Sequence, residues 1–166
     1  VALRALTGQT PFRVRLAMAR GELTQVLRAG EEAGILQAGQ RSLAGRLFDV
    51  GNELALSYSV PLDRFATAQL PIDKKQAMVG ALRKNHSIVL VRSGDRIVGH
   101  LRYSELATGE GDVEIRPVIR RNLTDRHLTT LLGMYDAASE VALLCDENDD
   151  AKSVVSRRQL LQPMIK

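Results

Sequence analysis

The chain is 166 residues long, enough for one domain or two small halves sharing a core, and its 45% hydrophobic and 25% charged content is ordinary for a globular protein. No apolar run approaches the roughly 18 residues that cross a bilayer, and the lone Cys145 rules out an internal disulfide or a thiolate zinc cluster. A net charge of +4 permits contact with phosphates, but no Trp, three Tyr and three Phe leave little to stack on bases.

The sequence begins at Val1 with neither a start methionine nor a charged-then-apolar leader, and reads as part of a longer protein. Residues 12–30, FRVRLAMARGELTQVLRAG, place Phe12, Leu16, Ala19, Leu23, Val26 and Leu27 at helical spacing, with Gly30 as a stop. A second helical pattern carries Ile35, Leu36, Leu43, Leu47 and Phe48 and ends at Gly51. The apolar faces of both are expected to pack on the downstream domain; a membrane surface is the alternative. LALSYSV (54–60) alternates like a strand that Pro61 ends. Asp73 then caps a helix to about Lys84, with Ala77, Ala81 and Leu82 on its inner side. SIVLV (87–91) has the β-branched content of a buried strand, Gly94-Asp95 make a turn, and RIVGHL (96–101) returns as the antiparallel partner. A short helix opens near Ser104 and Glu105.

The order then recurs. Thr124 caps a helix carrying Leu128, Leu131, Leu132 and Tyr135; EVALLC (140–145) is a strand, DENDDA a turn, KSVVS the returning strand and SRRQLLQPM the closing helix. Asp73 corresponds to Thr124, 51 residues on, and Gly99 to Ser153, 54 residues on. Neither copy is large enough to close a core alone. The two are expected to pack about a pseudo-twofold axis and to bury Val89, Val98, Val141 and Val154.

This duplicated helix–strand–strand–helix unit resembles the CBS repeat, and the pair resembles a CBS-pair (Bateman) module: an α+β fold of tandem CBS repeats with N-terminal linker helices. Glu22–Pro61, including the run GEEAGIL (30–36), is similar to the segment joining the membrane domain to the CBS pair in CorC and cyclin-M (CNNM) proteins. Where that family ends a strand in Thr-Pro, this chain has Val60-Pro61. The resemblance divides the chain into an N-terminal helical linker (1–53), a first CBS repeat (54–108) and a second (109–166). It implies a parent protein with an N-terminal transmembrane domain, linked to magnesium or other divalent-cation transport or of hemolysin-like type. It further implies a homodimer at the cytoplasmic face of the membrane, regulatory rather than catalytic, with an adenine nucleotide between the repeats (ATP or AMP, with magnesium if ATP).

In ligand-binding CBS repeats the last strand leads into Gly-hydrophobic-hydrophobic-Thr/Ser-x-x-Asp. An acid there can accept hydrogen bonds from ribose hydroxyls, while a hydroxyl and backbone N–H groups can meet phosphate. The first repeat reads Gly99-His100-Leu101-Arg102-Tyr103-Ser104-Glu105 and the second Ser153-Val154-Val155-Ser156-Arg157-Arg158-Gln159. The resemblance thus implies Glu105 on ribose, Arg102 or Ser156 near phosphate, and Gln159 as an uncharged acceptor. RPVIRRN (116–122) with Arg157 and Arg158 forms either a basic rim around phosphates or a solvated face. The alternative is a degenerate pair in which Ser104 and Ser156 cap helices and the module only dimerises.

Other chemistry finds less support. DENDD (146–150) lacks the central glycine and terminal glutamate of a calcium loop and reads as a solvated turn. His86, His100 and His127 have no paired-ligand spacing and read as surface or packing residues; Cys145 reads as a core residue. Nothing assembles a nucleophile, base and oxyanion donor, so no enzyme is expected. A basic nucleic-acid-binding domain is a further alternative, though no nucleic-acid partner is expected.

Overall fold

The computed structural model describes residues 11–108 and 113–165, which fall into two units, one ending at Val50 and one starting at Gly51. The first unit holds helix α1 (Pro11–Glu32) and α2 (Ala38–Gly51), the latter ending where the second unit begins. α1 runs past Gly30, because the glycine that stops it is Gly34, at φ +72°. The N–H groups of Ile35 and Leu36 both return to the Gly30 carbonyl, so these residues sit in the turn rather than in α2 as their spacing suggested. Ion pairs Arg20–Asp49 (2.7 Å) and Arg41–Glu31 (2.8 Å) tie the two helices antiparallel. The Phe12 side chain lies outside the described residues. Among the described residues no helix is long and apolar enough to cross a membrane.

The second unit opens with a correction. LALSYSV is not a strand: Ala55–Tyr58 form a 3-10 turn, leaving only β1 (Val60–Pro61) extended. Ser57 and Ser59 donate their N–H groups three residues back, and the buried residue is Ala55, out of phase with the leucines.

Two units of identical connectivity follow. In the first, β2 (Thr67–Gln69) leads through α3 (Lys74–Lys84) to a parallel partner β3 (Ile88–Ser93), a hairpin to β4 (Arg96–Arg102), and α4 (Tyr103–Thr108). In the second, β5 (Ile119–Asn122), α5 (His127–Asp136), β6 (Val141–Cys145), β7 (Ala151–Ser156) and α6 (Arg157–Ile165) repeat that path. Parallel partners are 23 residues apart in both, Thr67 with Leu90 and Ile119 with Ala142. Both hairpins carry a bulge at the same place, after Val91 and after Leu144. The sheets run β2-β3-β4 and β1-β7-β6-β5. Strands β2 and β5 escaped the sequence reading, being three and four residues long and too short to show a period.

Alternation along β3 and β6 builds the layers. Val89 and Val91 join Ala77, Ala81, Leu101 and Leu106 under α3 and α4, while Leu90 points the other way. Ala142 and Leu144 pack with Leu131, Met134 and Leu160 under α5 and α6. Val141, Leu143 and Cys145 meet Leu90, Ile97 and Val154 between the two sheets. Each central strand is therefore buried on both faces, which is why its sequence is almost wholly apolar.

Three further expectations are revised. Val98 is 43% exposed, because the bulge skips it between the pairs Val91–Gly99 and Arg92–Ile97. Leu82 is 62% exposed, since the residues α3 buries fully are Ala77 and Ala81. Thr124 does not cap α5, whose first N–H, that of His127, reaches the Glu53 carbonyl at 2.8 Å. Asp73 does cap α3, its carboxylate accepting from the Gln76 N–H at 3.1 Å.

Candidate functional site

The hairpins bring the two strand-to-helix corners together with the starts of β3 and β6. A cleft of about 740 Å³ forms there, lined by Ser87, Arg102, Tyr103 and Ser104 of the first repeat and Glu140, Ser156, Arg157 and Arg158 of the second, among others. The corners are built alike. The Tyr103 N–H donates to the Ser87 carbonyl at 2.8 Å, and the Arg157 N–H donates to the Glu140 carbonyl at 2.9 Å. The register makes Arg102 the counterpart of Ser156, and Ser87 that of Glu140. Such a volume falls within the range of small-molecule sites.

The five candidate ligand residues, four implied by the resemblance and Arg157 of the basic rim, divide. Arg102, Ser156 and Arg157 line this cleft; Glu105 and Gln159 are absent from its lining. Gln159 instead completes a reciprocal cap at the start of α6. Its side-chain oxygen accepts from the Ser156 N–H and hydroxyl, both at 2.8 Å, and its N–H donates to Ser156 Oγ at 3.3 Å. Glu105 turns to Arg116, whose Nη2 donates to Oε1 at 2.7 Å, and lies 3.7 Å from Arg102. Of RPVIRRN, Arg116 also pairs with Glu114, and Arg120 with Asp149 at 3.2 Å. In the DENDD turn, Asp146 Oδ1 accepts from the N–H groups of Asn148 and Asp150, both at 3.0 Å, and Lys152 pairs with Asp146 at 2.9 Å.

Glu140 is the residue that reading the motif missed. Its carboxylate faces Arg102 across the repeats: Nε donates to Oε2 at 3.0 Å and Nη2 donates to Oε1. Arg157 Nη2 lies 3.6 Å away and stacks its guanidinium over Tyr135, 5.0 Å from the ring centre. The hydrogen bonds from Arg102 hold the Glu140 carboxyl below its usual range. His100 Nε2 is 3.8 Å from Oε2, but burial pushes this imidazole below its ordinary pKa, which favours the neutral form. A signal for Glu140 existed in the repeat, since it precedes VALLC as Ser87 precedes IVLV.

Gly99, the first residue of the corner motif, has a packing reason. A Cβ there would lie 2.4 Å from Ile115 Cγ2 and 2.7 Å from the Arg116 carbonyl oxygen. The segment between the repeats crosses β4 at this point through paired His100–Arg116 backbone hydrogen bonds.

No family model matches the sequence, and no curated protein is significantly similar to it. Solved structures are similar in fold. The CBS domain of the bacterial CNNM/CorC family Mg2+ transporter superposes with a TM-score of 0.71 at 15% identity, over 87% of this chain and 94% of that one. A complex of such a domain with ATP gives 0.63 at 13% identity, over 74% and 94%. The hemolysin-like CBS protein of Oenococcus oeni PSU gives 0.64 at 13% identity, over 75% and 98%. The chain has the α+β fold of a CBS pair, and its structural neighbours are CBS domains of CorC/CNNM family transporters and hemolysin-like CBS proteins.

Proposed function

We propose that this chain is the regulatory CBS pair of a CorC/CNNM-like divalent-cation transport or hemolysin-like membrane protein, held at the cytoplasmic face and not itself catalytic. In this reading residues 1–53 link to the membrane part, and residues 54–108 and 109–166 are the two repeats. The cleft takes an adenine nucleotide, with Arg102, Arg157 and the Ser156 hydroxyl toward phosphate. Gln159 positions Ser156, and Glu105 stands behind Arg102. The observation carrying the reading is the cleft itself, in which Arg102, Arg157 and Arg158 converge with three serines, Ser87, Ser104 and Ser156. The ATP complex of a structural neighbour supports it. Regulation then requires that nucleotide bind two arrangements of the repeats, or of two protomers, unequally.

A second reading, a pair that only dimerises, is favoured by one fact: Arg102 already has an anionic partner in Glu140. Calorimetric titration with ATP, ADP and AMP, with and without magnesium, separates the two. Heat and a thermal shift with at least one nucleotide support the first. Neither effect at millimolar nucleotide would leave only dimerisation.

A further inference from the structure

We propose that Glu140 is a tethered competitor: its carboxylate occupies the arginine cradle of the cleft, and an anionic ligand binds only by taking Arg102 from it. The inference rests on the nucleotide reading of this cleft and names how that site is controlled.

The donors on Arg102 that grip the two Glu140 oxygens are those a phosphate would use, because the guanidinium fork fits carboxylate and phosphate alike. Both ions cannot hold the fork at once. The fold does not require an acid at this position. Ser87 stands at the equivalent point of the first repeat, and its carbonyl makes the same backbone hydrogen bond that the Glu140 carbonyl makes. Exchange needs no opening of the core, since the Arg102 and Glu140 side chains are 40% and 24% exposed. The displaced group carries a single charge, so a triphosphate, with more charge to offer Arg102, Arg157 and Arg158, competes better than a monophosphate.

The test is titration of the whole chain with ATP, AMP and inorganic triphosphate, in wild type, Glu140→Gln and Glu140→Ser. Gln keeps the shape and removes the charge; Ser is the residue the fold accepts at the equivalent position, and serves if the Gln variant folds poorly. ATP and triphosphate should bind at least tenfold more tightly to either variant. Equal affinity in wild type and variants would overturn the competitor while leaving the nucleotide site standing. Weaker binding in the variants would overturn it too, by making Glu140 a ligand contact. No binding by any protein would overturn the nucleotide reading and the competitor with it.

Discussion

Gly99→Ala tests how the first repeat is closed. The added methyl would sit 2.7 Å from a backbone oxygen, that of Arg116, and 2.4 Å from Ile115 Cγ2. Ile115 is 40% exposed and can rotate away, but the carbonyl can retreat only with its chain. Overpacking of this kind costs roughly 1–3 kcal/mol. If the crossing segment lifts, the His100–Arg116 pair of backbone hydrogen bonds, both 2.9 Å, also weakens. Each contributes about 1 kcal/mol net, so the loss should reach roughly 2–4 kcal/mol. Urea unfolding of the whole chain measures it, with Gly80→Ala as control. Gly80 lies in α3 with nothing within 4 Å of an added Cβ, so alanine there should be neutral or stabilising by up to about 1 kcal/mol. A Gly99→Ala protein within about 0.5 kcal/mol of wild type would refute the reasoning. The glycine would then need another explanation, a ligand approaching the backbone among them.

Acid should destabilise the fold through two histidines. His100 and His127 are fully buried, and burial holds each below its ordinary pKa of 6.5. The unfolded chain therefore binds more protons as pH falls through 6.5, and stability present above that pH is progressively lost towards the folded values. Urea midpoints between roughly pH 7.5 and 5.5 should fall, and His100→Gln with His127→Gln should flatten the slope; an unchanged slope in the double variant would count against it. A homodimer is also expected, because α3 exposes Val79 and Leu82, and α5 exposes Leu128, Leu132 and Tyr135. Sedimentation at high micromolar concentration should show a dimer that Leu82→Glu with Leu132→Glu dissociates, and a monomeric wild type would sink the expectation.

Much of this architecture is written locally. The central strands IVLV and VALLC are apolar because both faces are covered, and their hairpin turns fall where Gly94 and Asp149 adopt positive φ. The Asp73 cap and the Ser156–Gln159 cap are contacts between residues three apart, so the order of residues suffices to place them. The repeat, too, is visible as matched spacing. What the tertiary structure decided are contacts between distant residues. Val98 faces outward because a bulge shifts β4 against β3. α5 starts at His127 because Glu53, far back in the chain, receives its first N–H. Arg102 meets Glu140 rather than solvent, and Glu105 meets Arg116 rather than the cleft, because the two repeats and the segment between them pack face to face. A side chain's type limits which partners it can have; which one it meets depends on residues that only the closed core brings within hydrogen-bonding distance.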